Sequence, residues 1–542
     1  MQAKPAVPLW FNLGWLLPAI LVPLLAAHLR TLWPIDETRY ASVAWEMWSS
    51  GDFILPTLNG EPYSHKPPLL FWLMHLGWWL FGVNDVWPRL IPGLAGLSCA
   101  VLVRVLGRRL WPDHLAGVIA PWLLATGFGW LLYSTALYFD LLMALCVTAA
   151  LLALREMANR PSAWPWLGLA MGLAVLAKGP VVLAYVLPPT LLAPWWADPA
   201  LIRRSWYLGG VKAVALATAI GLAWAIPAAI DGGRVYTDQI LWGQTAGRML
   251  ESFAHRRPFW WYVPALVLMW LPWSLWGNFG ASLLTSLKHL QDRGVRFCLA
   301  VFVPGLLILS LVSGKQPHYL LPLFPVLALL VAWGMAERQD YSATKTPNSI
   351  GVRGFLVIVG AAMMLAPVIM SDESKGNSWV SQVSMAWGIG PLLLALVWSK
   401  IPAKGAWQPL ALMASTGVFV VISGYLAIAR PAGAVYDLTA FSQELAKQQM
   451  QDRPMAFVGK YRAQFQFLGR LPRGLERIGG GDQIAKWAAA HPQGIVVDEL
   501  DDQQQCEAFK ASLCVPYRLH YMAMIPAAQI STQRLHVKDK EE

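Results

Sequence analysis

Residues 34–68 read PIDETRYASVAWEMWSSGDFILPTLNGEPYSHKPP, and they differ from everything around them. One apolar segment precedes this stretch, and apolar runs joined by short polar links follow it. Asp36, Glu37, Arg39, Glu46, Asp52, Glu61, His65 and Lys66 are crowded into it. Tyr40, Val43, Ala44 and Met47 recur at helical spacing, which predicts an amphipathic helix over 36–48 lying along a membrane surface, with Asp36 at its start. A charged loop placed directly after a first membrane span is a poor lipid anchor and a good place for a reaction.

The surrounding chain supplies the membrane. Of 542 residues 56% are hydrophobic and only 13% are charged, more apolar surface than a soluble chain of this length needs. Repeated apolar runs of about 18–22 residues define a polytopic α-helical membrane protein. The 30 tryptophans fit, because indoles favour the membrane–water interface. The first run, residues 9–31, is too long for a signal peptide and lacks a small-residue cleavage site, so it reads as a span. Further spans are expected near 84–104, 115–133, 136–154, 164–178, 181–197, 207–230, 259–283, 297–313, 319–336, 353–370, 382–399 and 408–428, about thirteen in all. Prolines at 188–189 and 322–325 should break two of them.

The net charge of +11 comes without a basic run or an aromatic–basic pattern, which argues against a nucleic-acid partner. Basic residues instead flank alternate spans: Arg104, Arg108 and Arg109; Arg155 and Arg160; Arg203 and Arg204; Lys288, Arg293 and Arg296; Lys400 and Lys404. The positive-inside rule puts these in the cytoplasm. The 34–68 loop, Asp140, Lys178, the 231–258 loop, Lys315 and the acidic 371–378 segment then share the outer face. Residues 1–430 form the membrane domain, and 431–542 form a small outer α/β domain. In that domain PMAFVGKYR and GIVVDEL read as strands and DQIAKWAAA as a helix capped by Asp482. Gly479–Gly481 precedes this helix without GxGxxG spacing and reads as a plain turn. Cys506 and Cys514 can pair if the compartment is oxidising, whereas Cys99, Cys146 and Cys298 read as packing residues.

The outer face collects the chemistry. Asp36, Glu37 and Asp140 are its acidic candidates. Asp36 has a bland alternative as a helix N-cap, but Asp140, in ALYFDLLMAL, is a carboxylate among apolar residues and costly to bury without a partner. Lys66, Lys178, Arg248, Arg256, Arg257 and Lys315 stand where Lys and Arg should be scarce. Any one of them can snorkel to headgroups; together they form a cation cluster suited to a phosphate, with Tyr63 and Tyr319 adding hydroxyl donors. His65, His255 and His318 accompany these loops without metal-ligand spacing. They read as interface polar residues, with a divalent metal left open and no cofactor certain.

These residues together resemble the GT-C membrane glycosyltransferases that use polyprenyl-phosphate sugars, and the likeness is greatest to the lipid A aminoarabinose transferases. WPIDETRYA, the loop to SHKPP, LAKGP at 176–180, HRRPFWWYVP at 255–264, SGKQPHYLLPLFP at 313–325 and GGDQIAKWAAAHPQGIVV in the tail carry the resemblance. It implies a polyprenyl-phosphate-linked sugar donor, a lipid A, glycan or protein acceptor, and an active site facing the periplasm from the bacterial inner membrane. It further implies Asp36 as the main catalytic carboxylate, with Asp140 and Glu37 as further acidic residues. Arg39, Tyr63, Lys66, Arg248, Arg256, Lys315 and Tyr319 would bind the lipid phosphate, and His65, His255 and Lys178 would be accessory. His65 stands where the family's loop has a glutamate before Lys-Pro. The rivals from other classes are a transporter and a lipid-binding scaffold. Charges gathered at one face, with no inverted repeat, speak against transport.

Overall fold

A computed structural model describes residues 7–201, 204–240, 256–338, 349–370, 378–400 and 407–530. The chain packs as two compact units. The first takes the described residues of Met1–His28, Ser64–Ala361 and Gly388–Gly424; the second takes those of Leu29–Tyr63, Ala362–Trp387 and Tyr425–Glu542.

Among the described residues seven helices are long and apolar enough to cross a membrane, or eight if the bent pair Ala116–Thr126 and Phe128–Ser134 counts as one span. They are Val86–Leu110, Asp140–Asn159, Arg204–Asp238, Arg293–Leu311, Pro317–Glu337, Ile350–Ile369 and Gln408–Met450. Five shorter apolar helices accompany them: Leu16–Leu29, Leu69–Phe81, Pro180–Leu191, Phe259–Met269 and Met385–Lys400. Several expected spans therefore shorten or break. The 259–283 run divides into Tyr262–Met269 and Gly277–Lys288, and Pro272, which has no N–H to continue the ladder, lies in the break. Around Pro322 the chain runs as a 3-10 segment, Pro317–Leu323, before the α-helix Phe324–Glu337 begins. Leu69–Phe81 was not expected as a separate helix.

In the first unit burial separates the central helices from the outer ones. The most apolar window of Pro317–Glu337 is 94% buried, and that of Arg204–Asp238 only 22%. Backbones approach closely where side chains are small: a Cβ on Gly334 would meet Ser282 O at 1.9 Å, and Ser286 Oγ donates to Leu330 O at 2.6 Å beside it. Cys99, Cys146 and Cys298 are buried and unbridged.

The second unit holds a five-stranded mixed sheet. Its strand order is Glu476–Ile478, Met455–Val458, Ile495–Leu500, His520–Pro526 and Leu513–Tyr517; the first three run parallel and the last two pairings are antiparallel. The expected strands at 454–462 and 494–500 are present as Met455–Val458 and Ile495–Leu500, and the helix Asp482–Ala490 matches its sequence bounds. Asp482 does not cap it. Gly481, at φ 62°, occupies the cap, and Asp482 is the first helical residue, where its charge still favours the helix N-terminus. Cys506 and Cys514 are joined in a disulfide linking the Gln503–Ala508 helix to the Leu513–Tyr517 strand.

The helix of the opening stretch also belongs to this unit. It runs Asp36–Ser50, closed by Gly51 in the left-handed region. The face expected against a membrane surface is covered by protein: Tyr40, Val43, Ala44 and Met47 are all buried. Ser42 Oγ donates to Ala463 O at 2.7 Å and accepts from Phe467 N at 3.1 Å, and Trp45 Nε1 donates to Leu471 O at 3.0 Å. The hairpin Thr57–Leu58/Glu61–Pro62 follows, turning at Asn59-Gly60, both at positive φ, the dipeptide that such two-residue turns favour. Glu46 accepts the Asn59 N–H at 2.6 Å and the Gly60 N–H at 3.0 Å, so the helix holds the turn.

Candidate active site

Two groups of polar residues stand out, one in each unit. In the second unit, Asp36 and Glu37 are neighbours with different surroundings. Glu37 is buried, its carboxylate gripped by both terminal nitrogens of Arg30 (Nη2 to Oε1 2.8 Å) and accepting the Trp33 N–H at 2.9 Å. A bidentate buried pair of this kind is costly to break. Glu37 therefore fixes the turn into the helix.

Asp36 pairs with Arg39 one turn along, and its side chain is 36% exposed against 6% for Glu37. It caps nothing, since Ile35 occupies the N-cap and no side chain bonds there. Asp36 is thus a partly exposed carboxylate beside Arg39 at a helix start, where the helix N-terminus favours its charge. Burial, and then the Asp36 charge, raise the hydroxyl of Tyr40 well above the ordinary tyrosine range. Tyr63 is buried at the end of the same stretch.

The first unit's group is centred on Asp140, 2% exposed at the N-terminus of its helix. Lys178, the last residue of the Trp164–Lys178 helix, places its ammonium on Oδ1. His318 Nε2 lies 3.9 Å from Oδ2. Lys178 also stands 4.4 Å from the Tyr319 ring centroid, and Lys66 lies 5.5 Å from that of Phe139. Tyr185 Oη donates to Tyr319 O at 2.9 Å. Lys178, an accessory candidate from sequence, is thus the direct partner of Asp140. Tyr133 and Tyr138, whose rings flank His318, were missed; two tyrosines within seven residues of a buried aspartate were the available signal.

Lys315 lies elsewhere. It is 3% exposed, and its ammonium donates to Val312 O at 2.6 Å and Arg257 O at 3.0 Å. Arg257 N returns a bond to Ser313 O at 3.2 Å, and Arg256 bridges Gly314. Lys315 therefore ties two loop strands together, and burial lowers the affinity of its ammonium for the proton. Arg256 and His65 are exposed and Lys66 is half-buried. Arg248 and His255 lie outside the described residues. Among the described residues no three His, Cys, Asp or Glu side chains are grouped to hold a metal ion.

Residues 65–225 match the protein family described as dolichyl-phosphate-mannose-protein mannosyltransferase. The chain is 33% identical over 411 residues to an undecaprenyl phosphate-alpha-4-amino-4-deoxy-L-arabinose arabinosyl transferase of Edwardsiella ictaluri, covering 73% of this chain and 70% of that one. The fold matches that of ArnT from Cupriavidus metallidurans in the apo state, with a TM-score of 0.73 at 19% identity over 96% of this chain and 99% of that one. The same protein bound to undecaprenyl phosphate matches at 0.70, over 94% and 97% of the two chains, also at 19% identity.

Proposed function

The chain belongs to the family of undecaprenyl phosphate-aminoarabinose arabinosyl transferases, and on that premise we propose that it moves one aminoarabinose-like sugar from undecaprenyl phosphate to lipid A. The reaction takes place on the periplasmic face of the inner membrane, the side on which the positive-inside rule leaves the 34–68 loop and the 431–542 domain. That face lacks nucleotide sugars, so a lipid-linked donor suits it. Family membership carries the reading.

An acceptor oxygen attacks the sugar's anomeric carbon while the carbon–oxygen bond to the lipid phosphate breaks. The phosphate leaves with the bonding pair, and cations stabilise its added charge. Lys66 and Arg256, with Arg248, supply those cations; Tyr63 and Tyr319 supply hydroxyls; Arg39 steadies Asp36. Asp36 takes the proton of a hydroxyl acceptor. Where the acceptor is a lipid A phosphate, already ionised, Asp36 orients it. Asp140 is the second acidic residue, and Lys315 and Glu37 hold the backbone in place.

The test is transfer by the purified chain, supplied with undecaprenyl phosphate-linked aminoarabinose and lipid A and read by product mass. Asp36→Asn should lower kcat/KM by about 10²–10⁴. A folded Asp36→Asn protein with full turnover contradicts the assignment. The match to protein mannosyltransferases over 65–225 favours a second reading, the same chemistry on a protein acceptor. Offering a mixture of periplasmic proteins in place of lipid A separates the two.

A further inference from the structure

We propose that His318 is a positioning residue for Asp140: its imidazolium holds Oδ2 while Lys178 holds Oδ1. The inference rests on the reading of Asp140 as an acidic residue of the transferase. Asp140 is buried at the start of an apolar helix, where a carboxylate needs compensation for both of its oxygens. Lys178 accounts for one. The group facing the other is His318 Nε2 at 3.9 Å, longer than a hydrogen bond and within ion-pair reach.

The surroundings of the ring set its charge. His318 lies 5.6 Å from the Tyr133 ring, 5.5 Å from Tyr138 and 4.8 Å from Tyr319, centroid to centroid. A tyrosine ring presents its negative charge on its face and its positive charge at its edge, so only a ring that turns its face to His318 favours the imidazolium over the neutral imidazole. Two ammonium groups oppose the imidazolium: Lys178 on the same carboxylate, and Lys66, which also acts on Asp140. Tyr185 and Tyr262 complete the titratable groups, both interacting electrostatically with Asp140 and Tyr319. The Asp140 carboxylate thus competes with two lysines over the charge of a group that in water titrates near about 6.5.

When His318 is charged, Asp140 is held from both sides. When it is neutral, Oδ2 loses that ion pair, and the carboxylate can swing about the Lys178 contact on Oδ1. The turnover number should therefore carry a one-proton dependence near neutrality, while donor affinity should not.

The experiment measures kcat and KM against pH, from about 5.5 to 8, for the full chain, with undecaprenyl phosphate-linked aminoarabinose as donor and lipid A as acceptor. His318→Gln keeps hydrogen-bonding ability and cannot be charged. The expected result is loss of the near-neutral step in kcat, about a tenfold fall in kcat at the acid end, and an unchanged donor KM. His318→Asn serves if the Gln variant fails to fold. A variant whose pH profile overlays the parent's overturns the proposal, as does one in which KM alone changes. Asp140→Asn is run alongside. If it keeps full turnover, the underlying reading of Asp140 falls; if it is inactive while His318→Gln behaves as the parent, only the role of His318 falls.

Discussion

Glu46 is a carboxylate that accepts from the Asn59 and Gly60 N–H groups and the Thr57 hydroxyl. Burial raises its carboxyl above the ordinary glutamate value, and those donors only partly offset the effect. The folded chain thus keeps this proton to higher pH than the unfolded chain does. Below the ordinary value both states are protonated and the contribution to stability is complete. As pH rises through the raised value, stability falls. Glu46→Gln removes the titration, so its melting temperature should decline less between pH 4 and neutrality than the parent's, at a range of about three pH units. An unchanged slope would contradict the assignment. At this scale Asp36 was legible from its place after a first span and before a helix. Glu37 was not, because the arginine that occupies it, Arg30, lies at the end of the preceding apolar run and looked like a span boundary.

The Asp36–Ser50 helix shows what elements add. Its start followed from apolar spacing and it runs two residues past the expected end at 48, but its environment was not legible. An apolar stripe against lipid and one against protein have the same period. What distinguishes them here is Ser42, a hydroxyl inside the apolar face, bonded on both sides to the 463–467 segment. Ser42→Ala strands the Phe467 N–H and the Ala463 carbonyl, at a cost of about 1–3 kcal/mol. Amides of residues 36–50 should then exchange hydrogen about tenfold to a hundredfold faster, while the Ile495–Leu500 strand is unaffected. Equal rates in parent and variant would show that the bond pair does not hold the helix. The antiparallel strands of the sheet after Leu500 were also missed. Leu513–Tyr517 and His520–Pro526 carry a Cys, a His, two Pro and four Met or Tyr residues, too mixed for a clear period of two, and tertiary pairing sets them.

For the whole molecule, composition decided the class. More than half the residues are apolar, and no arrangement but membrane-spanning helices accommodates that with so few charges. Counting spans from apolar length was less secure, because prolines divide several runs and thirteen residues such as Leu69–Phe81 rise only about 20 Å, short of a bilayer core. The sequence marked the cations and carboxylates as candidates by residue type and by their place between apolar runs. Their pairing was not legible, since Lys178 with Asp140 and Lys315 with the Arg257 carbonyl join residues dozens of positions apart. The central claim is transfer of one sugar to lipid A, and mass spectrometry of lipid A from cells with and without the gene tests it directly. The account predicts a species heavier by a single aminoarabinose-like sugar, present with the intact gene and absent with Asp36→Asn. Identical lipid A spectra in all three strains would contradict it.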